Sequence, residues 1–221
     1  MRYVLIPGAG GTAWYWSRVV RLLEAAGHQA IAVDLPGDDK TKGTHEYADL
    51  VVRAADGADD VVLVAQSLGG FTAPLVCERM DVRELVFVNA MIPVPGETAG
   101  EWWDHVDATA AAVRAAEVGG YSRDFDLATY FLHDVPAGLA AEGEPYQRPE
   151  ADVAFAQTCD YSAWPAVPIR VLSGADDRFF PFELQQRVAG ERLGIQADAL
   201  PGGHLIALAN PDGVTRYLLT S

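Results

Sequence analysis

The sequence is poor in cysteine, in basic side chains and in long apolar runs, and each shortage removes a class of protein. Two cysteines, Cys77 and Cys159, cannot build a disulfide framework, and they read as buried thiols in a reducing compartment. Sixteen Lys and Arg face 31 Asp and Glu, for a net charge of −15. Nucleic acid and anionic membranes both select basic surfaces, so neither is an expected partner. No apolar run reaches the roughly 20 residues that a membrane-spanning helix needs. The apolar run in "MRYVLIPGAGG" is too short for a signal peptide. The expectation is a soluble, cytoplasmic protein. None of the five histidines pairs with another at metal-ligand spacing, so no metal site is read.

What the chain does have is apolar bulk and rhythm. Half of its 221 residues are apolar, enough for one sizeable core. Short β-branched runs alternate with segments at helical spacing. Strands are expected at 2–8, 28–37, 60–66, 83–91, 167–174 and 195–203. Helices are expected at 16–27, 44–56, 68–80 and 181–193, and "HLIALANPDGVTRYLLT" closes the chain as one more. Continuously apolar strands between helices mean an α/β fold, with a mostly parallel sheet covered on both faces. The rhythm breaks over 92–165, which hold Trp102, Trp103, an alanine-rich run and several prolines. Residues 91–167 carry thirteen acidic and three basic side chains, ten of the fifteen net negative charges. The expected organisation is a core of residues 1–91 and 166–221, with 92–165 inserted as a helical lid over the carboxyl edge of the sheet.

Chemistry enters at "VAQSLGG". Ser67 stands between a strand and a helix, with Ala65 two residues before it and Gly69 two residues after. A serine held up on a sharp strand-to-helix bend needs small neighbours at those positions, so that strand and helix can approach. A serine there also makes a good helix cap. A nucleophile further needs a base, and the base a carboxylate. His204, in "LPGGHLIAL", follows a strand and precedes the last helix. His28, His45, His105 and His133 are read as structural or surface residues. Asp176 and Asp177, in "SGADDRFFP", follow another strand, and either can supply the carboxylate. The chain order is then Ser, Asp, His. Charge developing on a substrate oxygen would meet two backbone N–H groups, Leu68 after the serine and Ala9 in the loop "PGAGGTAW".

That loop also fits a dinucleotide fingerprint, Gly8-x-Gly10-x-x-Ala13, with Asp34 ending the next strand. Pro7 and the bulky Trp14-Tyr15-Trp16 count against it. So does Ser67, which it leaves unexplained.

With "LIPGAGGTAWYW", "VAQSLGG", "MIPVPGETAGEWW", "GADDRFFP" and "PGGHLIAL" in place, the chain resembles compact bacterial α/β-hydrolases of the branch that includes plant methylesterases and hydroxynitrile lyases. The resemblance covers nearly the whole length. It implies that the chain starts at the family's third strand, leaving about six strands. It selects Asp177 over Asp176, because the family's acid stands four residues before the proline of D-x-x-x-P. It also implies a Ser67, His204 and Asp177 triad with Ala9 and Leu68 as oxyanion donors. Leu205 stands where the lyases carry lysine, and Gly8 where they carry threonine, which disfavours lyase chemistry of that type. The expected activity is hydrolysis of a small, apolar carboxylic ester, thioester or lactone without a cofactor. Met91, Trp102, Trp103 and Leu205 are the expected pocket residues, against the alternative of ordinary core packing. Two other readings stay open: a lyase or cyclase on the same fold, and a ligand-binding protein without turnover.

Overall fold

The computed structural model describes residues 1–220. Its centre is β3 (Val61–Gln66), every residue of which is buried. Around it lie β1 (Arg2–Ile6), β2 (Gln29–Ala32), β4 (Glu84–Val88), β5 (Ile169–Gly174) and β6 (Ala197–Leu200). They form one sheet in the order β2-β1-β3-β4-β5-β6, parallel at every pairing.

Alternate side chains of a strand point to opposite faces, and the sheet sorts them into two cores. Val4, Ile6, Leu63, Ala65, Leu85 and Phe87 belong to one. Tyr3, Leu5, Val62, Val64, Val86 and Val88 belong to the other. Helix α1 (Ser17–Ala25) buries Val19 and Leu23, one turn apart, against the second core. Helices α2 (Thr44–Ala55) and α3 (Gly69–Cys77) cover the first with Tyr47, Val51 and Phe71. Each such side chain contributes about 1.5–3 kcal/mol by leaving water. Among the described residues, no helix is long and apolar enough to cross a membrane.

Between β4 and β5 the chain leaves the sheet for five short helices. These are α4 (Ala99–His105), α5 (Ala108–Gly119), α6 (Leu127–Tyr130), α7 (Ala137–Gly143) and α8 (Asp152–Ala156). After β5 comes α9 (Phe182–Leu193), which returns to the first core through Leu184 and Val188. The insertion is fastened to this frame. Arg192 of α9 forms a buried ion pair with Glu97, at 2.5 and 3.0 Å. The Gln157 carboxamide accepts from Thr44 and His45 and donates to Glu46, all at the start of α2.

The closing segment departs from the single helix expected. Proline disfavours helical backbone in the residue before it. Asn210, at φ −136° and ψ 58°, therefore splits the segment into α10 (Ile206–Ala209) and α11 (Pro211–Leu218). The Asn210 side chain then caps α11 by accepting the Gly213 N–H at 3.0 Å. The helix expected to begin at residue 16 is likewise preceded by a 3-10 turn, Ala13–Trp16.

Helix α3 passes so close to the exit of β4 that a Cβ on Gly70 would run into the Met91 carbonyl. Neither backbone can yield without moving a strand end. Gly70→Ala is expected to lower stability by about 3 kcal/mol. The effect would read as a lower urea midpoint at unchanged slope.

Candidate active site

The strand order reverses direction at β1, with β2 on one side and β3 on the other. In an open parallel sheet such a switch leaves a crevice outside the carboxyl ends of the strands. The loops after β1, β3, β4, β5 and β6 meet there.

Ser67 follows β3 directly and sits at φ +51°. This left-handed conformation costs a residue with a Cβ about 1–2 kcal/mol. The bend is held at its carbonyl, which accepts from Gly70 N–H and Met91 N–H, each at 3.0 Å. From the other side the β1 loop approaches closely. A Cβ on Gly8 would stand 2.7 Å from that of Ser67.

The distant candidates converge on this bend. His204 Nε2 lies 3.1 Å from Ser67 Oγ, and His204 Nδ1 lies 2.8 Å from Asp177 Oδ2. All three residues are buried, Ser67 being 8% exposed. The other Asp177 oxygen accepts the N–H groups of Phe179 and Phe180, at 2.8 and 2.9 Å. Asp177 is therefore the carboxylate that meets the histidine. Asp176 turns away and accepts the Gly202 N–H at 3.1 Å, which braces the loop carrying His204. Phe131, Phe179 and Phe180 pack their rings against the imidazole, with centroids 4.7, 5.0 and 5.1 Å away.

Two polar side chains unforeseen in the sequence complete the frame. Asn89, buried and at φ +46°, ends β4. It donates to the carbonyls of Gly203 and His204, at 2.9 and 3.0 Å, and accepts the Gly174 N–H at 2.6 Å. One side chain thus ties the end of β5 to the histidine loop. Gln66 places its carboxamide nitrogen 3.3 Å from His204 Nε2, the same atom that faces Ser67. The signal for Asn89 was an asparagine closing an apolar strand, since asparagine tolerates left-handed backbone.

Among the described residues, neither Ala9 N–H nor Leu68 N–H donates to a protein acceptor. Ala9 lines a cavity of about 120 Å³, together with Gly8, Gln66, Trp14, Tyr15, Tyr146 and Leu205, among others. Leu205 is the one expected pocket residue on its wall. Trp103 is a ring further out, 5.2 Å from Phe179. Met91 and Trp102 are buried in the first core, in keeping with the packing alternative. The Met91 backbone clamps the Ser67 bend, and the Trp102 indole donates to the Ile92 carbonyl at 3.1 Å in a fully buried site.

The glycine loop is not used as a dinucleotide fingerprint. Gly10 N–H, which would face a pyrophosphate, donates to the Glu150 carboxylate at 2.7 Å. Asp34, the would-be ribose acid, is engaged by Arg148 at 2.9 and 3.1 Å. The two thiols offer no rival nucleophile. Burial pushes the Cys77 thiol up to about 12 and raises the Cys159 thiol as well, which disfavours the thiolate at both.

Several known proteins are similar to this chain. The probable esterase PIR7A of Oryza sativa subsp. indica is 38% identical over 111 residues, 44% of this chain and 42% of that protein. Norfluorocurarine synthase 1 of a Strychnos species is 32% identical over 41% of this chain and 39% of its own length. The chain thus covers about two-fifths of the length of these relatives. The crystal structure of polyneuridine aldehyde esterase superposes with a TM-score of 0.79 at 20% identity, covering 99% of this chain and 98% of that one. Residues 3–216 match the model of the alpha/beta hydrolase family, and the chain belongs to that family.

Proposed function

We propose that the protein is a serine hydrolase that cleaves a small apolar ester through an acyl-enzyme on Ser67. The observation that carries this reading is the continuous contact from Ser67 Oγ through His204 to Asp177, built on a strained bend beside two unpaired amides. His204 takes the Ser67 proton at Nε2 as Oγ attacks the carbonyl carbon. Asp177, on Nδ1, fixes the tautomer and balances the imidazolium charge. The amides of Ala9 and Leu68 receive the charge on the carbonyl oxygen. The tetrahedral adduct collapses, the bond to the leaving alkoxide breaks, and His204 returns the proton to it. Water, deprotonated by the same histidine, then releases the acid. The three phenyl rings keep bulk water from the imidazole, so its contacts act in a low-dielectric site.

The rest of the proposal concerns size and setting. The insertion over residues 92–165 acts as the lid. The cavity beside the β1 loop takes the acyl group, and its volume of about 120 Å³ suits chains of a few carbons. The esterase names of the plant relatives agree with an ester substrate. Two free thiols support a cytoplasmic location, and the acidic surface gives nucleic acid nothing to hold. Similarity to a protein named a synthase favours a second reading, a conversion on the same residues without net hydrolysis. Oxygen-18 from labelled water enters the acid product only under the first reading.

With a p-nitrophenyl ester series, turnover should peak at short acyl chains and vanish in Ser67→Ala. Retained turnover in that variant would sink the mechanism. Asp177→Asn should lose about 10⁴-fold in kcat through the wrong tautomer, whereas Asp176→Asn should keep kcat within about ten-fold, since it only braces a loop. Equal losses would mean that the carboxylate is misassigned.

Ser67→Gly separates strain from chemistry. It should be inactive but unfold no earlier in denaturant than the wild type, because glycine accepts φ +51° freely. A clear loss of stability would show that the bend carries no strain.

A further inference from the structure

The loop after β1 is gripped from outside the sheet by one short stretch of the insertion. Arg148 Nε donates to the Gly10 carbonyl at 3.0 Å, and Glu150 Oε2 accepts the Gly10 N–H at 2.7 Å. The stretch lies directly on the loop, since a Cβ on Gly10 would stand 2.5 Å from the Arg148 carbonyl. Both side chains are anchored behind. The Arg148 guanidinium forks onto Asp34 at 2.9 and 3.1 Å, and Asp34 also accepts the Ala13 N–H at 3.0 Å. The second Glu150 oxygen accepts the Tyr47 hydroxyl at 2.6 Å. Ala151 N–H donates to Gly37 O at 2.7 Å, which holds the stretch against the loop after β2.

These contacts bear on a single residue, and so on the two peptide groups that flank it. Gly11 N–H closes back on Gly8 O at 3.0 Å, and Gly11 O accepts the Leu35 N–H at 2.8 Å. Gly10 and Gly11 sit at φ +84° and +70°, where the backbone would otherwise swing freely. With Gly10, Gly11 and Ala13 all engaged, the Ala9 N–H just before them is left without a protein acceptor. Carboxylate and guanidinium hydrogen bonds are roughly twice as strong as neutral ones. They are also partly buried here, so water competes weakly.

We propose that Arg148 and Glu150 are positioning residues for the oxyanion site, fixing both sides of Gly10 and thereby the angle at which Ala9 N–H meets the substrate oxygen. The inference rests on the acyl-transfer reading above. It gives the acidic insertion a part in the chemistry beyond covering it. The competing explanation is a plain staple between insertion and core. A staple moves stability and substrate affinity. A positioning pair moves transition-state stabilisation.

The test uses the full chain with a short p-nitrophenyl ester and with phenylboronic acid, whose adduct with serine places an oxygen at the oxyanion position. Glu150→Gln leaves one carbonyl oxygen for two donors, and Arg148→Met removes the fork. Each should cut kcat about 10- to 100-fold with KM within about two-fold, and weaken the boronate by a matching factor. Arg148→Lys should recover part of the loss. Glu117→Gln, which breaks an exposed ion pair of the insertion with Arg123 at 3.1 Å, should change nothing. The two principal variants act on different atoms of Gly10, so either alone suffices if the other fails to fold. Unchanged kcat and boronate affinity with a lowered melting temperature would overturn the proposal in favour of the staple. An equal kcat loss in Glu117→Gln would also overturn it. Turnover surviving in Ser67→Ala would remove the underlying reading instead, an outcome these variants do not produce.

Discussion

A serine at φ +51°, set at the end of a fully buried strand, has no local reason to stay there. Relaxation to ordinary backbone would return about 1–2 kcal/mol. What prevents it is crowding from three directions. The β1 loop stands against the Ser67 side chain through Gly8, α3 stands against the β4 exit through Gly70, and the Ser67 carbonyl is held by two amides. Strain of this kind persists only where the surroundings over-determine the conformation. Sheet order, helix packing and loop composition around β3 all meet this one requirement. Ala65 fits it too, since its side chain packs into the first core and adds only a methyl group where the fold tolerates little.

The same logic repeats one strand over. Asn89 is the second left-handed residue at a strand end, and its side chain replaces missing secondary structure with three hydrogen bonds. The bend fixes Ser67 Oγ, and Asn89 fixes the loops that carry Asp177 and His204. A buried histidine and aspartate would be costly without such satisfaction. Each Asp177 oxygen has a donor, and each imidazole nitrogen has a partner. The polar cluster is therefore satisfied internally, and its burial is what strengthens its electrostatic contacts.

Much of this was legible in the sequence, for identifiable reasons. The parallel sheet showed because buried strands read as unbroken β-branched runs, as in "VVLVAQ". Ser67, the histidine and the aspartate pair showed because each follows a strand, and parallel strands deliver their carboxyl ends to one edge. Between Asp176 and Asp177 the residues alone gave no preference. The choice depends on which carboxylate the turn aims inward, and the amides of Phe179 and Phe180 decide that. For Trp102 and Met91 the residues alone left pocket and core open, because large apolar side chains near a site can serve as either. Arg148 and Glu150 were invisible. They lie some 140 residues from the glycine they hold, in a stretch without periodicity, and only tertiary contact joins them.

That last failure bears on how the two alternatives for the glycine loop should be weighed. Gly8-x-Gly10 is compatible with a phosphate cradle and with an oxyanion loop, because both need close backbone approach and free N–H groups. The decision lies in what already occupies those groups. A phosphate cradle leaves its amides open to solvent. Here the carboxylate of Glu150 fills the place a phosphate oxygen would take and the Arg148 guanidinium covers the adjoining carbonyl. An anion built into the chain has closed one use of the motif. It holds the loop and leaves the neighbouring Ala9 amide without a protein acceptor, which is what the proposed oxyanion role requires.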